Sequence, residues 1–194
     1  MRSNVALGVM ATAALAIGAA GLVRGQAADV PFRATAFAVD IGNSGPAAAE
    51  RIELNVDRWS TDAERDQLLV AYTAKGTAGM LTALQKTRRV GTMRVRASLG
   101  YELHYARRIP DQDGGERIVL ATDRPIEYWE TRQWRPIRDF PFTVIEIHVN
   151  ASGVGEGRMS VATKVTYSEA TGSLEMENYA NQPVQLQNVR LEAR

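Results

Sequence analysis

The sequence predicts an α+β fold in which about ten strands form a mostly antiparallel sandwich or partly closed barrel with one inserted helical hairpin. Within residues 51–58, the apolar side chains of Ile52, Leu54 and Val56 alternate with polar ones, which is the period of a half-buried strand. Helical spacing then replaces this alternation at about residues 61–88. Beyond residue 90 the chain returns to short strand-like runs, and the short links between them favour antiparallel neighbours.

The predicted helical hairpin covers about residues 61–88. Thr61 and Glu64 have the spacing of a capping box, so we expect a first helix to begin there. The pair Lys75-Gly76 is typical of a helix end, because glycine accepts the backbone conformation that follows a last turn. A second helix is expected from about Thr77 to Arg88.

Turn-forming residues divide the remainder of the chain into predicted strands. Glycine-rich or asparagine-rich turns are expected at 113–115, 152–155 and 181–183. The predicted strands are 32–41, 51–58, 90–97, 101–109, 117–122, 126–130, 142–150, 158–168, 173–179 and 184–191.

The N-terminal segment predicts export. Residues 1–27 contain an early arginine, an apolar run and small residues, as in a secretory signal peptide, which leaves residues 28–194 as one domain. An uncleaved membrane anchor is the alternative, since the apolar run is about long enough to span a bilayer. We expect a periplasmic or secreted protein with no stable membrane insertion after cleavage. Aromatic residues make up only 7% of the chain, so the aromatic girdles of an outer-membrane barrel are not expected.

Composition excludes several classes of function. Removal of residues 1–27 leaves 21 basic against 22 acidic residues, whereas a nucleic-acid-binding protein needs a concentrated basic face. Cysteine is absent, which rules out thiol nucleophiles, zinc ribbons and disulfides. The glycines at 153, 155 and 157 are followed by Arg158 and a predicted strand, so they do not form a dinucleotide fingerprint. We therefore predict no cofactor.

The two histidines form one candidate site. His104 follows Glu102 and His148 follows Glu146, and alternation places each pair on the face opposite the expected core of its strand. If the two strands were neighbours, these four side chains could bind one divalent ion. The alternative is that both pairs face water, as polar residues commonly do on an antiparallel sheet.

Aromatic and basic residues cluster in a second candidate site. The segment contains Tyr128, Trp129, Arg132 and Trp134, and thus two of the three tryptophans of the chain. Tryptophan and arginine are enriched where proteins bind partners, so this segment is a candidate contact surface. Alternatively, a tryptophan here closes one end of the core. The nearby Asp123-Arg124-Pro125 indicates an ion-paired turn rather than a site.

Four segments resemble a group of small exported bacterial proteins without assigned function. They are Trp59-Ser60-Thr61-Asp62-Ala63-Glu64-Arg65, Ala121-Thr122-Asp123-Arg124-Pro125-Ile126, Asn178-Tyr179-Ala180 and Gln182-Pro183-Val184. The resemblance spans most of residues 28–194 and implies export, but it implies no catalytic or binding residue.

Two functional hypotheses follow. The first is a non-catalytic exported module that binds a small ligand or an envelope partner through the Tyr128–Trp134 region, with an apolar ligand inside the barrel as one version. The second is a metal-binding protein or hydrolase that uses His104 and His148.

Overall fold

Eight antiparallel strands form a closed barrel. The computed structural model describes residues 31–39, 49–95, 99–111, 114–126, 142–160, 164–168, 173–177 and 184–192. The elements are β1 (Phe32–Val39), β2 (Ala49–Val56), α1 (Asp62–Lys86), β3 (Gly91–Val95), β4 (Tyr101–Pro110), β5 (Glu116–Thr122), β6 (Val144–Val149), β7 (Val154–Ser160), β8 (Lys164–Ser168), β9 (Ser173–Glu177) and β10 (Val184–Leu191). The strand order around the barrel is β1-β10-β7-β6-β5-β4-β3-β2.

Pairing between β1 and β10 closes the barrel. Ala34 lies opposite Leu191 and Val39 opposite Gln185, while the other edge of β1 pairs with β2. The antiparallel prediction is confirmed, but the barrel has eight strands rather than about ten and is fully closed. The strands β8 and β9 form a separate two-stranded sheet, and β8 lies close to α1.

Two predicted strands differ from the structure. The predicted strand 158–168 is divided into β7, which begins earlier at Val154, and β8. Of the predicted strand 126–130, Ile126 is buried outside any strand, and 127–130 lie outside the described residues. Residues 1–27 also lie outside the described residues. In the part of the chain that the structure describes, no helix has the length and apolar character needed to cross a membrane.

Apolar side chains line the described interior of the barrel. The inward-facing apolar residues are 5% exposed or less, so water does not reach them. Small residues at Ala34, Ala36 and Ala38 line β1, while Ile118 and Leu120 enter from β5 on the opposite side. An eight-stranded barrel can be filled by its own side chains or can hold one small ligand. The enclosed apolar ligand of the first hypothesis therefore stays a prediction.

The two ends of the barrel differ. We call the end with the connections 111–115 and 150–153 the base, and the opposite end the top. At the base, the half-buried Trp59 packs against the interior, with the Phe32 ring 5.8 Å away and the Arg108 guanidinium 4.8 Å from its ring centre. Arg108 also pairs with Glu116 at 3.1 Å. An aromatic ring and an ion pair thus cover the base.

The helical segment is one kinked element. Its predicted start is confirmed, because the Thr61 hydroxyl accepts from the Glu64 N–H at 3.2 Å and the Glu64 carboxylate accepts from the Thr61 N–H at 2.8 Å. The structure has one element where the sequence predicts two separate helices, and Lys75 and Gly76 interrupt it with non-helical backbone angles.

The kink reverses the direction of α1. A straight helix of 25 residues would be about 37 Å long. Arg58 nevertheless donates hydrogen bonds to Glu64 in the first turn, at 2.8 and 2.9 Å, and to the Arg88 carbonyl just past the last turn, at 2.9 Å. Both ends of α1 therefore lie beside the same arginine. These hydrogen bonds from Arg58 also hold the pKa of Glu64 below its ordinary value.

A second apolar cluster joins α1 to the outer surface of the barrel. It consists of Leu68, Met80, Leu84, Tyr105, Val119, Ala121, Phe142 and Val144. The register of β4 against β5 shifts between Leu103 and Tyr105, which is a β-bulge. Leu103 consequently packs in the barrel interior, whereas Tyr105 belongs to the outer cluster. Simple alternation would place Leu103 and Tyr105 on one face, so it fails at this point.

Candidate functional site

His104 occupies the bulge of β4. Leu103 lies opposite Thr122 and Tyr105 opposite Ala121, so His104 is the extra residue without a partner in this register. Its side chain turns outward beneath the C-terminal end of α1 and is 9% exposed. The bulge thus moves a titratable ring from the wet face predicted for it into a buried position between a strand and a helix.

The end of α1 supplies the first contact of His104. Thr87 is the C-cap residue, and its N–H donates to the carbonyls of Ala83 and Leu84 at 3.1 and 2.9 Å. Because the Thr87 backbone is extended, its own carbonyl turns away from the helix and lies 2.8 Å from His104 Nδ1. A carbonyl oxygen can only accept a hydrogen bond, so Nδ1 must carry a proton.

Two carboxylates face the other ring nitrogen. His104 Nε2 lies 3.6 Å from Glu102 Oε2 and 3.6 Å from Asp123 Oδ2. Nε2 is inaccessible to solvent and makes no hydrogen bond. A buried ring nitrogen between two anionic groups can bind a proton and pair with either of them.

A threonine pair positions Asp123. The Thr143 N–H donates to the Thr122 hydroxyl at 2.9 Å, and that hydroxyl donates to the Arg124 carbonyl at 2.6 Å. These bonds turn the chain sharply after β5, which directs the Asp123 carboxylate towards His104. The predicted ion-paired turn is organised differently, since the Arg124 guanidinium lies 5.3 Å from the centre of the Tyr101 ring.

Glu146 is the centre of a second polar cluster on the outer face of β5, β6 and β7. Its carboxylate accepts from Arg158 Nε and Nη2 at 3.0 and 2.8 Å, and it lies 3.1 Å from His148 Nε2 and 3.5 Å from Arg117 Nη1. The Glu146 side chain is only 8% exposed, although His148 is 52% exposed. Burial is the largest single influence and raises the pKa of Glu146, but the hydrogen bonds and charges of Arg158 and His148 together hold that pKa below its ordinary value.

The structure does not bring the two predicted Glu-His pairs together. β4 and β6 flank β5, and strands that are two positions apart are separated by about 10 Å. In addition, His104 lies near Thr122 at the top of β5, whereas His148 pairs with Arg117 near its base. Across the described residues, no group of three or more histidine, aspartate or glutamate side chains is arranged to hold a metal ion.

The alternative prediction, that both Glu-His pairs face water, is correct for only two of the four side chains. Glu102 is 56% exposed and His148 52%, while His104 and Glu146 are buried. The candidate contact residues Tyr128, Trp129, Arg132 and Trp134 all lie outside the described residues.

No family model, curated protein or solved structure matches this chain. The resemblance to small exported bacterial proteins therefore stays a prediction.

Sequence reasoning missed two participants of the His104 site. Asp123 follows β5, and Thr87 ends α1, so neither shares a local motif with Glu102 and His104. The only sequence feature at Asp123 was its position at a turn after a strand. The Thr87 carbonyl is a backbone group, which residue identity does not reveal.

Proposed function

We propose that this protein is an exported, non-catalytic β-barrel module that binds a small ligand or an envelope partner through the top of the barrel. The observation that carries the proposal is the distribution of its connections. Four connections, 40–48, 96–100, 123–143 and 161–183, join strands at the top, whereas the base has the short links 111–115 and 150–153 and the connection 57–90, most of which is α1. Segments that connect the strands of a rigid scaffold commonly carry its binding residues.

The candidate contact residues belong to one of these top connections. Tyr128, Trp129, Arg132 and Trp134 lie between Ile126 and Phe142, both of which are buried in described parts of the molecule. Those two anchors attach the segment to the barrel on either side of the predicted contact residues. Binding at this end requires no internal cavity.

Alanine substitution of the two tryptophans tests the proposal. We expect Trp129→Ala and Trp134→Ala to melt near the wild-type temperature and to lose capture of a cross-linked partner from an envelope extract. Trp59→Phe is the matched control, since Trp59 lies at the base of the barrel. It should lower stability and leave capture unchanged.

Two results would contradict the proposal. If Trp129→Ala and Trp134→Ala both unfold the protein, these rings belong to the core and offer no contact surface. If capture by both variants equals that of wild type, the partner binds elsewhere. Arg132→Ala extends the test, because a hot spot of this composition depends on its arginine as well.

A further inference from the structure

We propose that His104 is a pH-responsive clasp that joins the C-terminal end of α1, strand β4 and the turn after β5. When the imidazole is protonated, the ring links Thr87 to the two carboxylates, whereas in the neutral ring only the bond to Thr87 remains. The inference is independent of the proposed binding function, because it concerns how α1 is held on the barrel. Its basis is the position of one buried ring between the Thr87 carbonyl, Glu102 and Asp123.

The Thr87 contact determines which nitrogen titrates. Since the Thr87 carbonyl accepts from Nδ1 at 2.8 Å, Nδ1–H is present in both the neutral and the charged ring. Gain or loss of a proton therefore changes Nε2 alone. This nitrogen is the one that faces the two carboxylates.

The neutral and charged rings interact oppositely with those carboxylates. In the neutral ring, Nε2 presents a lone pair to two anionic oxygens, and as a buried acceptor without a donor it destabilises the contact. In the charged ring, Nε2–H is attracted to both. The separation of 3.6 Å is longer than an ordinary hydrogen bond, so a small shift of either carboxylate completes the pairing.

Negative groups face the ring from three elements. Glu102 faces Nε2 from β4 and Asp123 from the turn after β5. From α1, the ring meets the helix C-terminus, which carries partial negative charge. The nearby cations have other contacts: Arg89 pairs with Asp57 at 3.5 Å, and Arg124 lies over Tyr101.

Hydrogen exchange measures the clasp directly. We expect the amides of residues 83–90 to exchange about tenfold more slowly at about pH 5.5 than at about pH 7.5, after correction for intrinsic rates, which corresponds to one hydrogen bond to a charged group. His104→Gln should remove this difference. His148→Gln is the matched control, since His148 is the other histidine and lies on β6, and it should retain the difference.

Further variants keep the inference testable if His104→Gln does not fold. Glu102→Gln and Asp123→Asn each remove one of the facing charges and should each reduce the pH difference. An unchanged difference in His104→Gln, or its loss in His148→Gln, overturns the proposal. Stabilisation of wild type but not of His104→Gln by added zinc also overturns it, because a metal ion rather than a proton would then occupy Nε2.

Discussion

Glu146 illustrates how neighbouring residues determine the environment of one side chain. It points outward from β6, on a face where polar residues of an antiparallel sheet normally reach water. Arg158 on β7 lies directly opposite Glu146, and Arg117 on β5 lies opposite His148, two residues further along β6. Both arginine side chains extend over the Glu146 carboxylate. The result is a buried anion held by cations from both neighbouring strands.

The Glu146 network should stabilise the barrel. We expect Glu146→Gln to lower the free energy of unfolding by about 2 kcal/mol, because the arginines lose a buried charged acceptor. The pKa of Glu146 is depressed, so its stabilisation is present above the ordinary range of a carboxyl group. It is lost as the pH falls through the lowered value. Urea denaturation of wild type and variant from neutral to acidic pH measures this difference.

Glu156→Gln provides the control for this prediction. Glu156 lies on β7, pairs with His148 in register, and is exposed. Its substitution should change stability by less than about 0.5 kcal/mol. Equal effects of the two substitutions, or an effect of Glu146→Gln that does not decline in acid, would show that the buried network contributes nothing specific.

At the scale of a single element, α1 depends on the backbone of Gly76. Its φ of 58° and ψ of −149° lie in a region that residues with a side chain rarely adopt. A Cβ at this position would meet nothing within 4 Å, so any penalty would come from the backbone alone. We expect Gly76→Ala to lower the free energy of unfolding by about 1–3 kcal/mol. Thermal denaturation followed by circular dichroism measures the change.

Two variants separate backbone strain from other effects. Lys75→Ala removes an exposed side chain at the same kink, where φ is −140°, and should change stability by less than about 0.5 kcal/mol. Gly79→Ala should destabilise for a different reason, since its Cβ would collide with the Ala71 carbonyl oxygen. If Gly76→Ala is as stable as Lys75→Ala, the kink does not require glycine.

Local chemistry explains which features of the elements the sequence predicts. The capping box of Thr61 and Glu64 and the break at Lys75-Gly76 arise from neighbouring residues, and both occur at the predicted positions. The bulge at His104 depends on how β4 pairs with β5, and no residue near it is a glycine or proline that would mark it. His104 is buried because of that bulge and because the end of α1 covers it. Alternation takes account of neither, so it predicts a side chain that faces water.

At the scale of the whole molecule, strand direction and inward faces are more predictable than closure. Period-two alternation identified Ile52, Leu54 and Val56 as core residues, and all three are buried. Closure depends on the pairing of β1 with β10, which are separated by almost the entire described chain. No local pattern in β1 or β10 indicates which strand it pairs with. For the same reason, the sequence could not indicate that Asp123 approaches His104 or that β5 separates the two histidine strands.

Removal of β10 should open the barrel and abolish cooperative folding. Val184, Leu186 and Val189 are buried in the interior, and their loss alone removes about 2 kcal/mol each, a total comparable to the stability of a typical domain. The edges of β1 and β7 would also lose their partner strand, and exposed edges promote aggregation. We therefore expect a chain that ends at residue 183 to bind a hydrophobic dye, elute as aggregates and show no sharp thermal transition.

A shorter truncation tests whether β10 itself is responsible. A chain without residues 193–194 retains the whole of β10 and the hydrogen bond from the Glu192 N–H to the Arg33 carbonyl at 3.0 Å. It should elute as the full-length chain does and melt within a few degrees of it, since about 1 kcal/mol shifts the melting temperature of a domain of this size by only about 2–4 °C. A sharp transition in the chain ending at 183 would show that β1 and β7 can close the barrel without β10, contrary to the observed pairing.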